Sequence, residues 1–141
     1  MININWFAVV VCLVLSMVSG SIWYGPKTFY PVWRKGIGKP EVGEPSNGIP
    51  MNLVWALTIF SSFMQVLAFA LLIAYIGSYS PGGSTLFSGA LIGFLIWLGF
   101  IAPTYMVNKL FAGHGFKVWA IEVGNHLLNF VLFGAILGAW H

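Results

Sequence analysis

Val118-Trp-Ala-Ile-Glu122-Val-Gly-Asn125-His126-Leu-Leu-Asn129-Phe-Val-Leu-Phe-Gly134-Ala-Ile-Leu-Gly138-Ala-Trp140 is the stretch from which the architecture reads. It is long enough to cross a hydrocarbon core of ~30 Å as a helix rising ~1.5 Å per residue. At about 100° per residue, Glu122, Asn125, His126 and Asn129 share one side of that helix, within Trp, Ile, Val, Leu and Phe. An ionisable group in hydrocarbon is costly, roughly 2.5 kcal/mol or more on insertion scales, so it must face the interior of a bundle and find partners. The reading therefore predicts a transmembrane helix with a polar stripe, and the stripe is a candidate site.

Working outward, three further segments have the same character. The predicted spans are 4–24, 51–76, 86–111 and 118–140, all within a single membrane domain covering 1–141. The chain is 59% hydrophobic and only 6% charged, where a soluble domain carries about a quarter charged residues. This places it among integral membrane proteins. Long apolar runs without period-two alternation exclude a β-barrel pattern, and irregular backbone does not face lipid. The predicted fold is an all-α membrane protein, a four-transmembrane-helix bundle. The first segment lacks both a preceding positive charge and an Ala-x-Ala-like cleavage site, so it reads as an uncleaved span.

The six basic residues orient the bundle. Lys27, Arg34, Lys35 and Lys39 lie between the first and second spans, and Lys109 and Lys117 flank the turn between the third and fourth. The positive-inside rule then puts both connections in the cytoplasm and both termini outside. The net charge of +3 comes from these flanking residues, and nothing suggests nucleic acid. The long connection, 25–50, begins with an aromatic and basic segment, Phe29-Tyr-Pro-Val-Trp33-Arg34-Lys35, suited to the membrane interface. Its remainder, Gly36–Pro50, is rich in Gly and Pro and carries Glu41 and Glu44, the composition of an irregular loop. The whole connection reads as a tether, with a lid or partner-binding loop as the sharper alternative.

The second span has its own polar face, Thr58, Ser61, Ser62 and Gln65, within an arc of roughly 100°. Counting about 1.5 Å per residue from the same membrane face, Thr58 is level with Glu122, Ser61 and Ser62 with His126, and Gln65 with Asn129. The candidate intramembrane site is thus Glu122, Asn125, His126, Asn129, Gln65, Ser61, Ser62 and Thr58, a predicted pocket open to the cytoplasm. Glu122 and His126, one turn apart, are expected to pair, and Thr104, Tyr105 and Asn108 add polarity at the same end. The competing reading is that these groups only join helices. Gly89-xxx-Gly93, Gly134-xxx-Gly138 and the ridge Cys12, Ser16, Gly20 permit close helix approach, within the monomer or in a dimer. Pro103 is expected to kink or loosen the third span.

Other chemistry finds no support in the residues. Cys12 is the only cysteine, which rules out an intrachain disulfide and a thiolate cluster. Glu122-x-x-x-His126 lacks the second His of a zinc-protease helix, and no haem ligand pair, nucleophile elbow or phosphate loop is present. No cofactor or metal is expected, and nothing demands catalysis.

The chain resembles a family of small bacterial membrane proteins catalogued as domain of unknown function 1761. The features that carry the likeness are Trp23-Tyr24-Gly25-Pro26 with Phe29 and Trp33, then Leu110-Phe111. Trp119-x-x-Glu122-x-Gly124-x-His126 and the ending Gly134-Ala-Ile-Leu-Gly138 complete them. The resemblance implies a four-span bundle with an acidic residue and a His at the positions of Glu122 and His126, and no activity; the expected location is the bacterial inner membrane, as a multi-pass protein. The expected function is a small binding or transport module with an intramembrane polar pocket. The alternative is a structural or accessory subunit of a larger membrane complex. A weaker third reading is a membrane enzyme using Glu122 and His126 as acid and base. The expected partners are the lipid bilayer and, in an assembled form, a homodimer mate or another membrane protein.

Overall fold

The computed structural model describes residues 3–40 and 48–140. Glu41 and Glu44, and with them residues 41–47 of the expected irregular loop, lie outside the described residues. The elements run α1 (Trp6–Trp23), α2 (Tyr30–Gly36), α3 (Met51–Ser78), α4 (Leu86–Ile96), a π-helical turn (Trp97–Ile101), α5 (Ala102–Phe111) and α6 (Gly115–Ala139). Four helices are long and apolar enough to cross a membrane: α1, α3, the continuous α4–π–α5 rod Leu86–Phe111, and α6.

Local sequence accounts for the ends. The Asn5 side chain accepts from the Ala8 N–H at 3.2 Å and caps α1. Thr85 and Ser88 cap α4 reciprocally. Gly113 and Gly115 take φ of +74° and +79°, the left-handed backbone that breaks α5 and lets α6 start. The π turn lies just ahead of Pro103, with the Ala102 N–H bonding back to the Trp97 carbonyl. Pro103 has no N–H to offer the Gly99 carbonyl, and the chain absorbs the defect by widening one turn. The rod loosens as expected without ending.

The tightest packing joins α4 to α6. A Cβ at Gly89 would collide with the Gly134 carbonyl, one at Gly93 with the Phe130 carbonyl, and one at Gly138 with the Thr85 carbonyl. Both glycine patterns are therefore spent on one intramolecular contact, with backbone against backbone. On the ridge of α1, Cys12 and Ser16 are buried, while Gly20 has no neighbour near its Cα. The core gathers Ala8, Val9 and Cys12 of α1, Val66, Phe69, Ala70 and Ile73 of α3, and Phe130, Phe133 and Leu137 of α6. Phe69 meets Phe130 and Phe133 edge-on, with centroids 4.9 and 5.9 Å apart.

This core holds only the second half of α3. From Leu53 to Met64 the helix has little cover from its own chain: Leu53, Trp55, Leu57, Ile59, Phe60 and Met64 are all exposed. In place of α3, the short α2 closes that end of the bundle. A Cβ at Gly36 would collide with the Val118 side chain, so α2 lies directly on the first turn of α6.

Candidate functional site

Glu122, Asn125 and Asn129 are buried on α6, each with 7–8% of its surface exposed. Their partners come from α1, α2 and α5. Lys109 of α5 places its Nζ 2.9 Å from Glu122 Oε1, and the Trp33 indole of α2 donates to the same oxygen at 2.8 Å. His126 Nε2 lies 3.0 Å from the Tyr105 hydroxyl, with the two rings 5.1 Å apart between centroids. Asn129 donates its amide to Asn125 Oδ1 at 3.3 Å and accepts from the Ser19 hydroxyl at 2.5 Å. The polar line along α6 thus consists of two bonded groups, Lys109–Glu122–Trp33 and Asn125–Asn129–Ser19.

Indole groups brace the same helix. Trp23 donates to the Ile121 carbonyl and Trp97 to the Val123 carbonyl, each at 2.8 Å. Trp119 donates in turn to the Ala102 carbonyl at 2.9 Å. The carbonyls of Ile121 and Val123 can also accept their own helical bonds, since each oxygen has two lone pairs. Gly124 leaves room for the Trp23 ring, which a Cβ there would press at 2.9 Å. Trp33 is itself fixed by its neighbours, stacked on Tyr30 and edge-on to Tyr24. Arg34, buried on α2, donates to the Pro40 carbonyl at 2.6 Å and to the Tyr30 hydroxyl at 3.1 Å. Within the connection expected to be a tether, the described residues 25–40 form a folded cap whose indole reaches Glu122.

The structure separates the two polar faces that depth alone had placed together. Thr58 is exposed and its hydroxyl donates to Val54 of its own helix at 2.8 Å. Ser61 is exposed and Ser62 partly so. Gln65 opens on an apolar groove of about 240 Å³ with Ala68, Phe69, Leu72, Ile96, Ile101 and Phe130. Counting residues fixes height in the membrane but not direction around the axis. The glycine contact sets α6 against α4 and turns its polar stripe towards α1, α2 and α5.

The expected direct bond between Glu122 and His126 does not form. The carboxylate is taken by Lys109 and Trp33, and the imidazole by Tyr105. Lys109 read as a topology signal and Trp33 as an interfacial anchor. The signal that pointed further was the single intramembrane acid, which needs a cation at its own depth. Two buried side-chain nitrogens have no partner among the described residues, Asn125 Nδ2 and His114 Nδ1. The first sits within the polar line. Among the described residues no group of three or more His, Cys, Asp or Glu could hold a metal ion.

By helix length and apolarity this is the fold of a multi-pass membrane protein, with a charge-paired polar stripe on its last helix. The chain belongs to the family described as protein of unknown function DUF1761, whose model matches residues 7–138. No curated protein and no solved structure matches it.

Proposed function

We propose that this chain is a small binding module of the bacterial inner membrane, with both termini outside, that takes a polar solute against the stripe of α6. The observation that carries the reading is the orphaned Asn125 amide. Its Nδ2 is buried without a partner, one turn from a carboxylate held between Lys109 and Trp33. A buried donor without an acceptor costs about 1–3 kcal/mol, and a ligand that supplies the acceptor recovers that loss. The cap supports the same reading. Lys109 and Trp33 belong to separate elements, α5 and α2, so displacing α2 would uncover Glu122 without disturbing the packing of α4 on α6. Transport is the further step such a site permits, by analogy with midplane sites in other carriers.

The test is a screen of small polar solutes against the purified chain, read as thermal stabilisation. A solute at 100 times its dissociation constant raises stability by about 2.7 kcal/mol. Asn125→Leu removes the orphan donor, and the solute shift is expected to disappear; because it also takes the acceptor from the Asn129 amide, each shift is measured against that variant's own solute-free melting temperature. Should no solute stabilise the parent chain, or should Asn125→Leu retain the shift, the stripe is helix glue and the accessory-subunit reading takes over.

A further inference from the structure

Gln65 lies at the midpoint of the 28-residue helix α3, which is the middle of the membrane if α3 spans it. Its amide makes no hydrogen bond to any described residue, and neither do the hydroxyls of Ser61 and Ser62. The serines can turn back onto carbonyls of their own helix. Gln65 is satisfied only in part by its own helix, because the Ser61 hydroxyl one turn back can donate to its amide oxygen while its two N–H donors still need acceptors. Lipid offers neither donor nor acceptor, and the groove beside Gln65 is lined by apolar side chains.

We infer that the Ser61, Gln65, Ala68 and Leu72 stripe of α3 is the contact surface for a second copy of this chain. The spacing of four, three and four residues keeps one seam facing a partner helix. Two copies inserted with the same orientation bring both Gln65 amides to the same depth across a two-fold axis parallel to the membrane normal. Each amide can then donate to the other's carbonyl oxygen, so the patch is complementary to itself, as a two-fold interface requires. No charged side chain lies on α3 to oppose the approach. The same contact is flanked by Trp55 and Leu57, about 80° to either side of the Gln65 seam and both exposed in the monomer. Ala68 lets the backbones draw close, and the groove formed with Ile96 and Ile101 receives side chains of the partner's stripe.

The experiment uses the full chain in lipid nanodiscs and in liposomes of varied protein-to-lipid ratio. Gln65→Cys is expected to cross-link into a dimer under copper-phenanthroline oxidation. Phe60→Cys, about 140° round the same helix, is exposed but should not. Cys12 is fully buried, and the parent chain reports any background from it. Gln65→Leu keeps an apolar helix and the monomer fold, and is expected to weaken self-association about tenfold, the worth of two interhelical amide bonds. The proposal is overturned by a parent chain that stays monomeric at every ratio, by a Gln65→Leu variant that associates as tightly as the parent, or by cross-linking that favours residue 60. A different protein co-purifying in equal amount on this stripe overturns it as well. These readouts are independent of solute binding, so the dimer and the α6 site stand or fall separately.

Discussion

Glu122 is answered by two groups of unlike kind, a flexible cation and a rigid indole, and the two are separable by mutation. Lys109 is 21% exposed at its side chain and Glu122 only 9%, so the pair lies at the edge of the buried region. Removing the cation leaves a buried carboxylate with one neutral donor, which is worse than removing both charges. Lys109→Met is expected to destabilise the chain by about 1–3 kcal/mol, discounted for the partial exposure of the lysine. Lys109→Met combined with Glu122→Gln should recover most of that loss, since Gln still accepts from Trp33. Denaturant titration in detergent measures both, and equal losses for the single and double variants would sink the account. Trp33→Phe removes the donor together with one ring of the indole packed on Tyr30 and Tyr24, for an expected loss of about 1–3 kcal/mol. The polar stripe was legible at this scale because an acid, an amide pair and a His at helical spacing leave no other face for them. Lys109, Trp33 and Ser19 were not legible as its partners, because each comes from a different element.

The contact of α4 with α6 depends on hydrogen atoms where side chains would be. Gly134→Ala puts a methyl into the Gly89 carbonyl, and neither backbone can yield without parting the helices. The expected cost is about 2–3 kcal/mol. Gly99→Ala in the π turn meets nothing within 4 Å and should change stability by less than about 0.5 kcal/mol. Thermal unfolding of the two variants side by side checks the pair, and similar losses would mean that the close approach is not what holds the helices. Both glycine patterns were visible in the sequence. That they meet each other within one chain depends on the antiparallel alignment of α4 and α6, which no local pattern specifies. Pro103 is the converse case: the missing N–H is a local fact, and the loosened turn ahead of it follows from that alone.

Across the whole molecule, charge and apolar packing divide the bundle. The basic residues flank the connections between α1 and α3 and between α5 and α6, and the distribution supports both of these connections in the cytoplasm. A reporter active only outside the membrane is expected to work when joined after residue 141 and to fail when inserted near Gly38. The reverse pattern would refute the orientation. The α2 cap and the bare half of α3 are features of this same scale. α2 occupies the end of α6 where α3 was expected, and α3 packs on the core from Phe63 onward.

The amino-acid sequence alone carries the four membrane-length apolar helices and the polar stripe of α6. Both follow from the cost of polar groups in hydrocarbon and the 3.6-residue period. It also placed the polar groups of α3 and α6 at matching depths, since rise per residue is constant. Which elements face Glu122 follows from packing between helices, which sets the rotation of each about its axis. Here four glycines lock α6 onto α4 and turn the stripe towards Lys109, Trp33, Tyr105 and Ser19. Gln65, at matching depth, is left facing away from it.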